Sequence, residues 1–223
     1  MEKRRKRGYC LSAMLMVLFA VWTVLVRLVD VKPIGPQGTR VGFSAFNGAV
    51  HTATGVSLPL YTLTDWLGLV PIAVVLAFGA LGAFQWLKRG SIRSVDRSIL
   101  VLGAFYVAVF AAYIAFEYMV INYRPVLIEG RLEASYPSST TLLVLTVMPA
   151  AALELWGRIR HPLLKYSALL WIAAFTVFMV VGRFLSGVHW CTDIVGGALL
   201  SASLVCAHAT AARVPAAPKD PDR

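Results

Sequence analysis

The chain is 223 residues long, 58% hydrophobic and only 14% charged, with a mean hydropathy of +0.71. A soluble domain carries about 25% charged residues, so this composition excludes an ordinary water-soluble fold and reads as an integral membrane protein. The formal net charge of +10 does not point to nucleic acid, because the basic residues cluster between long apolar runs, as the positive-inside pattern requires.

Residues 3–7 are basic and lead into an apolar run. The run is long enough to span a bilayer and no small-residue cleavage site follows, which predicts a retained first helix over 9–29 rather than a signal peptide. Residues 30–65 are moderately apolar and are expected to form an external loop lying along the interface as a broken amphipathic helix. Further spans are predicted at 66–87, 99–121, 141–157, 166–185 and 192–212, the fourth short and carrying Pro149, where a kink is expected. From Arg213 the chain turns to Pro, Ala and charged residues and reads as a disordered tail. The predicted class is all-α, a polytopic membrane protein of six transmembrane helices. It divides into a first helix with its loop (1–65), a transmembrane core (66–212) and a tail (213–223).

Fifteen of the 21 Lys and Arg residues fall at the N-terminus, in 88–97, in 158–165 and in the tail. That bias places both termini in the cytoplasm, with an even number of spans. Cys10, Cys191 and Cys206 have no paired spacing, so neither a disulfide framework nor a zinc site is expected. Gly79 and Gly82, and Gly196 and Gly197, suit close helix packing, within a protomer or between two.

In this topology three polar stretches meet the outer face: EYMVINYRP (117–125), EASYPSSTT (133–141) and GRFLSGVHWCTDIVGG (182–197). His189 and Asp193 are four apart, so on one helix face the carboxylate is expected to hold one ring nitrogen and free the other as nucleophile or base. Arg124 and Arg183 offer forked donors that suit phosphate oxygens. Ser138 and Ser139 open the fourth span, where hydroxyls and free backbone N–H groups favour an anion. Gly187 permits close backbone approach beside the histidine. His51, His161 and His208 have no carboxylate at suitable spacing and are set aside. Arg, His and Asp at the mouth of a bundle are costly unless paired or used, and together they describe a phosphate site.

These residues resemble the PAP2 superfamily, the type 2 phosphatidic acid phosphatase fold, whose signature runs K-x6-R-P, then P-S-G-H, then S-R-x5-H-x3-D. The resemblance covers roughly 66–212. Arg183, His189 and Asp193 match the third motif, with Gly182 in the serine place; Arg124 and Pro125 match the first, Pro137 and Ser138 the second. Glu117 stands in the first-motif lysine position, Ser139 where glycine is expected, and Thr140 in the second-motif histidine position.

By position, the resemblance implies His189 as the nucleophile forming a phosphohistidine, Asp193 as its orienting partner, and Arg124, Arg183 and Ser138 as the phosphate holders, without metal or cofactor. Thr140 leaves the general-acid position without a proton-donating ring. General acid catalysis is worth about 10²–10⁴ in rate, so loss of the acid favours a diphosphate, whose leaving phosphate needs little help. Undecaprenyl diphosphate at the outer face of a bacterial cell membrane fits that logic. Glu117 has two readings: an ion-pair partner for Arg124 two helical turns on, or a partly buried acid replacing the lost one. Either removes positive charge from the cradle, which counts against a diphosphate. Three functions stay open: hydrolysis of a lipid phosphate or diphosphate, binding, sensing or transport of a lipid phosphate by a catalytically degenerate member, and transfer of the phosphoryl group to another acceptor.

Overall fold

The computed structural model describes residues 2–212; the tail expected to be disordered lies outside them. Eight helices follow one another: α1 (Glu2–Leu28), α2 (Ser44–Thr54), α3 (Leu58–Leu67), α4 (Leu69–Arg89), α5 (Arg97–Tyr118), α6 (Ser139–Arg158), α7 (Pro162–Leu185) and α8 (Cys191–Ala212). Six stretches are long and apolar enough to cross a membrane, with α3 and α4 counting as one from Leu58 to Arg89. The all-α membrane architecture expected from composition is therefore what the chain adopts.

The loop expected to run to residue 65 ends earlier, because the sequence supplies a helix start at 57. The Ser57 Oγ accepts the Leu60 N–H at 3.4 Å, and Pro59 sits in the first turn where no amide proton is missed. Thirty-two residues of helix exceed the roughly 20 that a bilayer core needs. The surplus, α3, stands against α7 at the end of the bundle opposite Lys88, Arg89, Arg97 and Arg158.

The innermost helix is α6, which packs on α7 and α8 and runs unbroken through Pro149. Its Val144 and Met148 meet Ile172 and Met179 of α7, and its Ala150 meets Leu102, Phe105 and Val109 of α5. Helix α1 lies along α8, where Phe19 and Val26 cluster with Tyr136, Leu142 and Leu200. Gly196 and Gly197 let α8 approach the start of α6 and the segment before it, within the chain. A Cβ on Gly196 would lie 2.5 Å from the Tyr136 ring, and one on Gly197 3.2 Å from the Ser138 carbonyl.

At the basic end, Asp96 ties three helices together. It accepts from Arg89 at 2.9 Å and from Gln85 at 2.8 Å, both of α4, and from Arg158 of α6 at 3.4 Å. The three cysteines are free.

Candidate phosphate site

Between α5 and α6 the chain makes a short hairpin excursion. Tyr123 bridges Ala134, and Ile128 bridges Arg131 around Glu129 and Gly130, both with positive φ as a tight two-residue turn demands. This register sets Arg124 opposite Glu133, the Arg124 N–H donating to the Glu133 carbonyl at 3.0 Å. It also sets Asn122 opposite Ser135. The hairpin thus presents Arg124, Glu133 and Ser135 to the mouth of the bundle.

The turn from α7 to α8 carries His189. Gly187 adopts φ +66, and a Cβ there would fall 1.9 Å from the Gly55 carbonyl oxygen, so glycine lets this turn meet the α2–α3 junction. Ser57 N–H donates to the Ser186 carbonyl at 3.0 Å, and His51 Nε2 lies 3.1 Å from the Gly187 carbonyl. His51, set aside as a catalyst, is a fastening of the turn that holds His189.

Arg124, Arg183 and His189 converge on one cavity of about 530 Å³, also lined by Tyr61, Asp65, Glu117, Glu133, Ser135 and Ser139. Arg124 Nη1 donates to His189 Nε2 at 3.2 Å, and His189 Nδ1 lies 3.1 Å from the Ser135 carbonyl. A guanidinium only donates, so Nε2 carries the lone pair and Nδ1 the proton. Burial pushes the His189 imidazole well below the ordinary histidine range, and the Arg124 and Arg183 charges push the same way. The ring is a neutral base with its lone pair toward the cavity.

Both arginines are held by carboxylates. Arg124 Nε pairs with Glu133 at 2.9 Å; Arg183 Nη2 pairs with Asp65 at 3.0 Å, while Nη1 donates to Thr64 Oγ1 at 3.1 Å and the Tyr61 carbonyl at 3.2 Å. The Tyr61 ring lies 4.7 Å from the Arg183 guanidinium and 5.7 Å from that of Arg124, and its π face eases the approach of two like charges.

Several expectations are corrected. Asp193 does not hold the histidine ring: Oδ2 is 3.9 Å from Nδ1 and accepts the Trp190 N–H at 3.0 Å, while Oδ1 accepts from Asn122 at 3.1 Å. The backbone carbonyl of Ser135 is nearer and takes the ring proton. Glu117 is neither the ion partner of Arg124 nor partly buried; α5 stops at Tyr118, so the two-turn spacing is never realised, and Glu117 is exposed at the cavity wall. Ser138 is fully buried, with its N–H on the Asp193 carbonyl at 3.1 Å and its Oγ accepting from Thr141 at 3.0 Å. Ser139, not Ser138, lines the cavity. Thr140 turns away into a neighbouring groove.

That groove, about 580 Å³, runs between α4, α5 and α6 and is lined mainly by Leu69, Ile72, Val75, Val109, Phe110 and Val147. Asp65, Tyr113, Ser139 and Leu142 line both spaces, so polar cavity and apolar groove share a seam. Among the described residues no three His, Cys, Asp or Glu side chains gather as a metal site requires.

No family model matches the sequence, and no curated protein is significantly similar to it. The fold is similar to the crystal structure of the first transmembrane PAP2 type phosphatidylglycerolphosphate phosphatase from Bacillus subtilis. The TM-score is 0.55 and the identity 17%, over 87% of this chain and 92% of that one. The chain therefore has the PAP2-like transmembrane helical fold.

Proposed function

We propose that this PAP2-like membrane protein hydrolyses a lipid phosphate through a phosphohistidine on His189, at the outer face of a bacterial cell membrane. The observation that carries the reading is the setting of the His189 ring between Arg124 and the Ser135 carbonyl. Its Nε2 lone pair points at a cavity with two arginines, and the Ser135 carbonyl stands ready to stabilise the Nδ1–H as positive charge develops on the ring. Phosphate oxygens would take the forked N–H groups of Arg124 and Arg183, and the adjoining apolar groove would take the lipid chain. The location at the outer face is supported by the Lys and Arg residues at the opposite end of the bundle.

Charge decides between headgroups. Arg124 and Arg183 face Asp65, Glu117 and Glu133 around one cavity, an acidic excess when His189 is neutral. Such a wall disfavours a diphosphate and favours a monophosphate. A binding protein without turnover has one observation on its side: Arg124 Nη1 occupies the Nε2 lone pair.

The test is phosphate release by the purified protein in detergent from phosphatidic acid, undecaprenyl phosphate and undecaprenyl diphosphate, with trapping of labelled phosphate on the protein. Release fastest from a monophosphate, with label absent in His189→Ala, supports the hydrolase. Tight binding of the same lipids with neither label nor release supports the binding protein. Product that appears only with an added alcohol marks a transferase.

A further inference from the structure

We propose that Asp65 is the acid that protonates the leaving lipid oxygen, taking the role that Thr140 cannot fill; this rests on the hydrolase reading above. The phosphorus has to lie within reach of His189 Nε2 in the polar cavity, while the chain lies in the apolar groove. The bond between them, phosphorus to ester oxygen, therefore crosses the seam. Four residues line that seam: Asp65, Tyr113, Ser139 and Leu142. Leucine has no proton to give, and a serine hydroxyl or a phenol is a far weaker acid than a carboxylic acid. Thr140, one residue beyond Ser139, lines only the groove.

Asp65 is also arranged to receive a proton when substrate arrives. Its Oδ1 accepts from Arg183 Nη2 at 3.0 Å, and that N–H is the donor a phosphate oxygen would claim. Arg183 is 1% exposed in its side chain and held by Thr64 and the Tyr61 carbonyl, so it stays in place while Asp65, 58% exposed, is the mobile partner. A carboxylate displaced from its arginine and set beside an anion takes up a proton. The monoanionic phosphate ester brings one, since a phosphate monoester loses its second proton near pH 6.

The steps balance. The ester passes its proton to Asp65 as its dianion settles on the arginines. His189 Nε2 attacks phosphorus, the bond to the ester oxygen breaks, and the Asp65 proton goes to that oxygen to give the lipid alcohol. The Asp65 carboxylate then takes a proton from water, whose oxygen attacks phosphorus. The phosphorus–nitrogen bond breaks, His189 regains its lone pair, and Asp65 returns the proton to the departing phosphate.

The experiment compares the burst of alcohol release, before the phosphohistidine is hydrolysed, by Asp65→Asn on two esters: phosphatidic acid, whose alkoxide must be protonated, and para-nitrophenyl phosphate, whose phenolate leaves without a proton. Asparagine keeps an oxygen for Arg183 but has no acidic proton. The variant is expected to lose about 10²–10⁴ on the alkyl ester while staying within about threefold of wild type on the nitrophenyl ester. Asp65→Glu should restore part of the rate. An equal loss on both esters would make Asp65 a positioning residue for Arg183 and overturn the assignment, as would no loss on either. A wild-type protein that forms neither phosphohistidine nor phosphate from either ester would overturn it together with the hydrolase reading. If Asp65→Asn does not fold, the same comparison is made with Asp65→Glu, whose longer side chain should slow the alkyl ester selectively.

Discussion

Arg124 donates from Nη1 to Nε2 of His189 at 3.2 Å, so the proposed nucleophile is capped by the group proposed to hold its substrate. An anion that draws the guanidinium toward itself uncovers the lone pair in the same movement. Arg124→Lys keeps the charge but loses the fork that serves histidine, Glu133 and phosphate together. It should lower kcat/KM for phosphate release by roughly 10²–10³, the usual effect of removing one such donor. Steady-state kinetics on the purified variant would check this.

The acid side of the pH profile should be unusually broad. His189 is held well below the ordinary histidine range by burial first and by the two arginines next. The proposed nucleophile should stay unprotonated, and kcat/KM undiminished on its account, well below about pH 6.5. The stability effect has a definite sign. Above about pH 6.5 both folded and unfolded chains carry a neutral ring, and below it the unfolded chain takes a proton that the folded one refuses. Stability should therefore fall with falling pH until the folded value is reached, and His189→Gln should lessen that fall. Thermal unfolding in detergent across about pH 4–8 reads the stability effect, and kcat/KM for phosphate release over the same range reads the breadth of the acid side.

Asn122 is predicted to matter through Asp193. Its Nδ2 donates to Oδ1 of that fully buried carboxylate at 3.1 Å, and Asn122→Ala would leave the oxygen without this partner. A cost of about 1–3 kcal/mol is expected, seen as a lower unfolding temperature. Because Asp193 also receives the Trp190 N–H, the turn carrying His189 should loosen and phosphate release should fall with it.

Two glycines make a controlled pair. Gly196→Ala places a methyl group 2.5 Å from the Tyr136 ring and should destabilise the bundle by about 1–3 kcal/mol, as overpacking does. Gly79→Ala meets nothing within 4 Å and should be neutral or slightly stabilising. Detergent unfolding of the two variants side by side decides the matter, and equal effects would count against the packing described here.

The six spans were legible because twenty apolar residues in succession have few other uses, and the grouping of Arg124, Arg183 and His189 was legible because charge is costly in such a chain. The partners of those residues were not. Asp65 and Tyr61 meet Arg183 across more than a hundred residues, and no local period announces a contact of that kind. Asp65 did leave a trace, as a charge inside the apolar stretch 58–89, and Ser57 with Pro59 marked the helix start that would have put it on a helix. The spacing of Glu117 and Arg124 misleads because helical geometry ends at Tyr118, where the chain leaves the helix for the hairpin. The i, i+4 spacing of His189 and Asp193 misleads likewise. Helix α8 begins at Cys191, so His189 precedes it, and the nearest acceptor for its ring is a carbonyl from another segment.

Helix α3 gives the molecule an unexpected seam of inheritance. The motif-bearing residues all lie beyond position 116, yet the groups that hold Arg183 still (Tyr61, Thr64 and Asp65) come from the first third of the chain. A boundary drawn at residue 66 would pass between an arginine and its counter-ion. Transplanting the C-terminal two thirds onto another N-terminal segment would carry His189 across intact while exchanging the surroundings of the anion cradle. In such a chimera the proposed nucleophile would descend from one parent and the groups that tune its surroundings from the other.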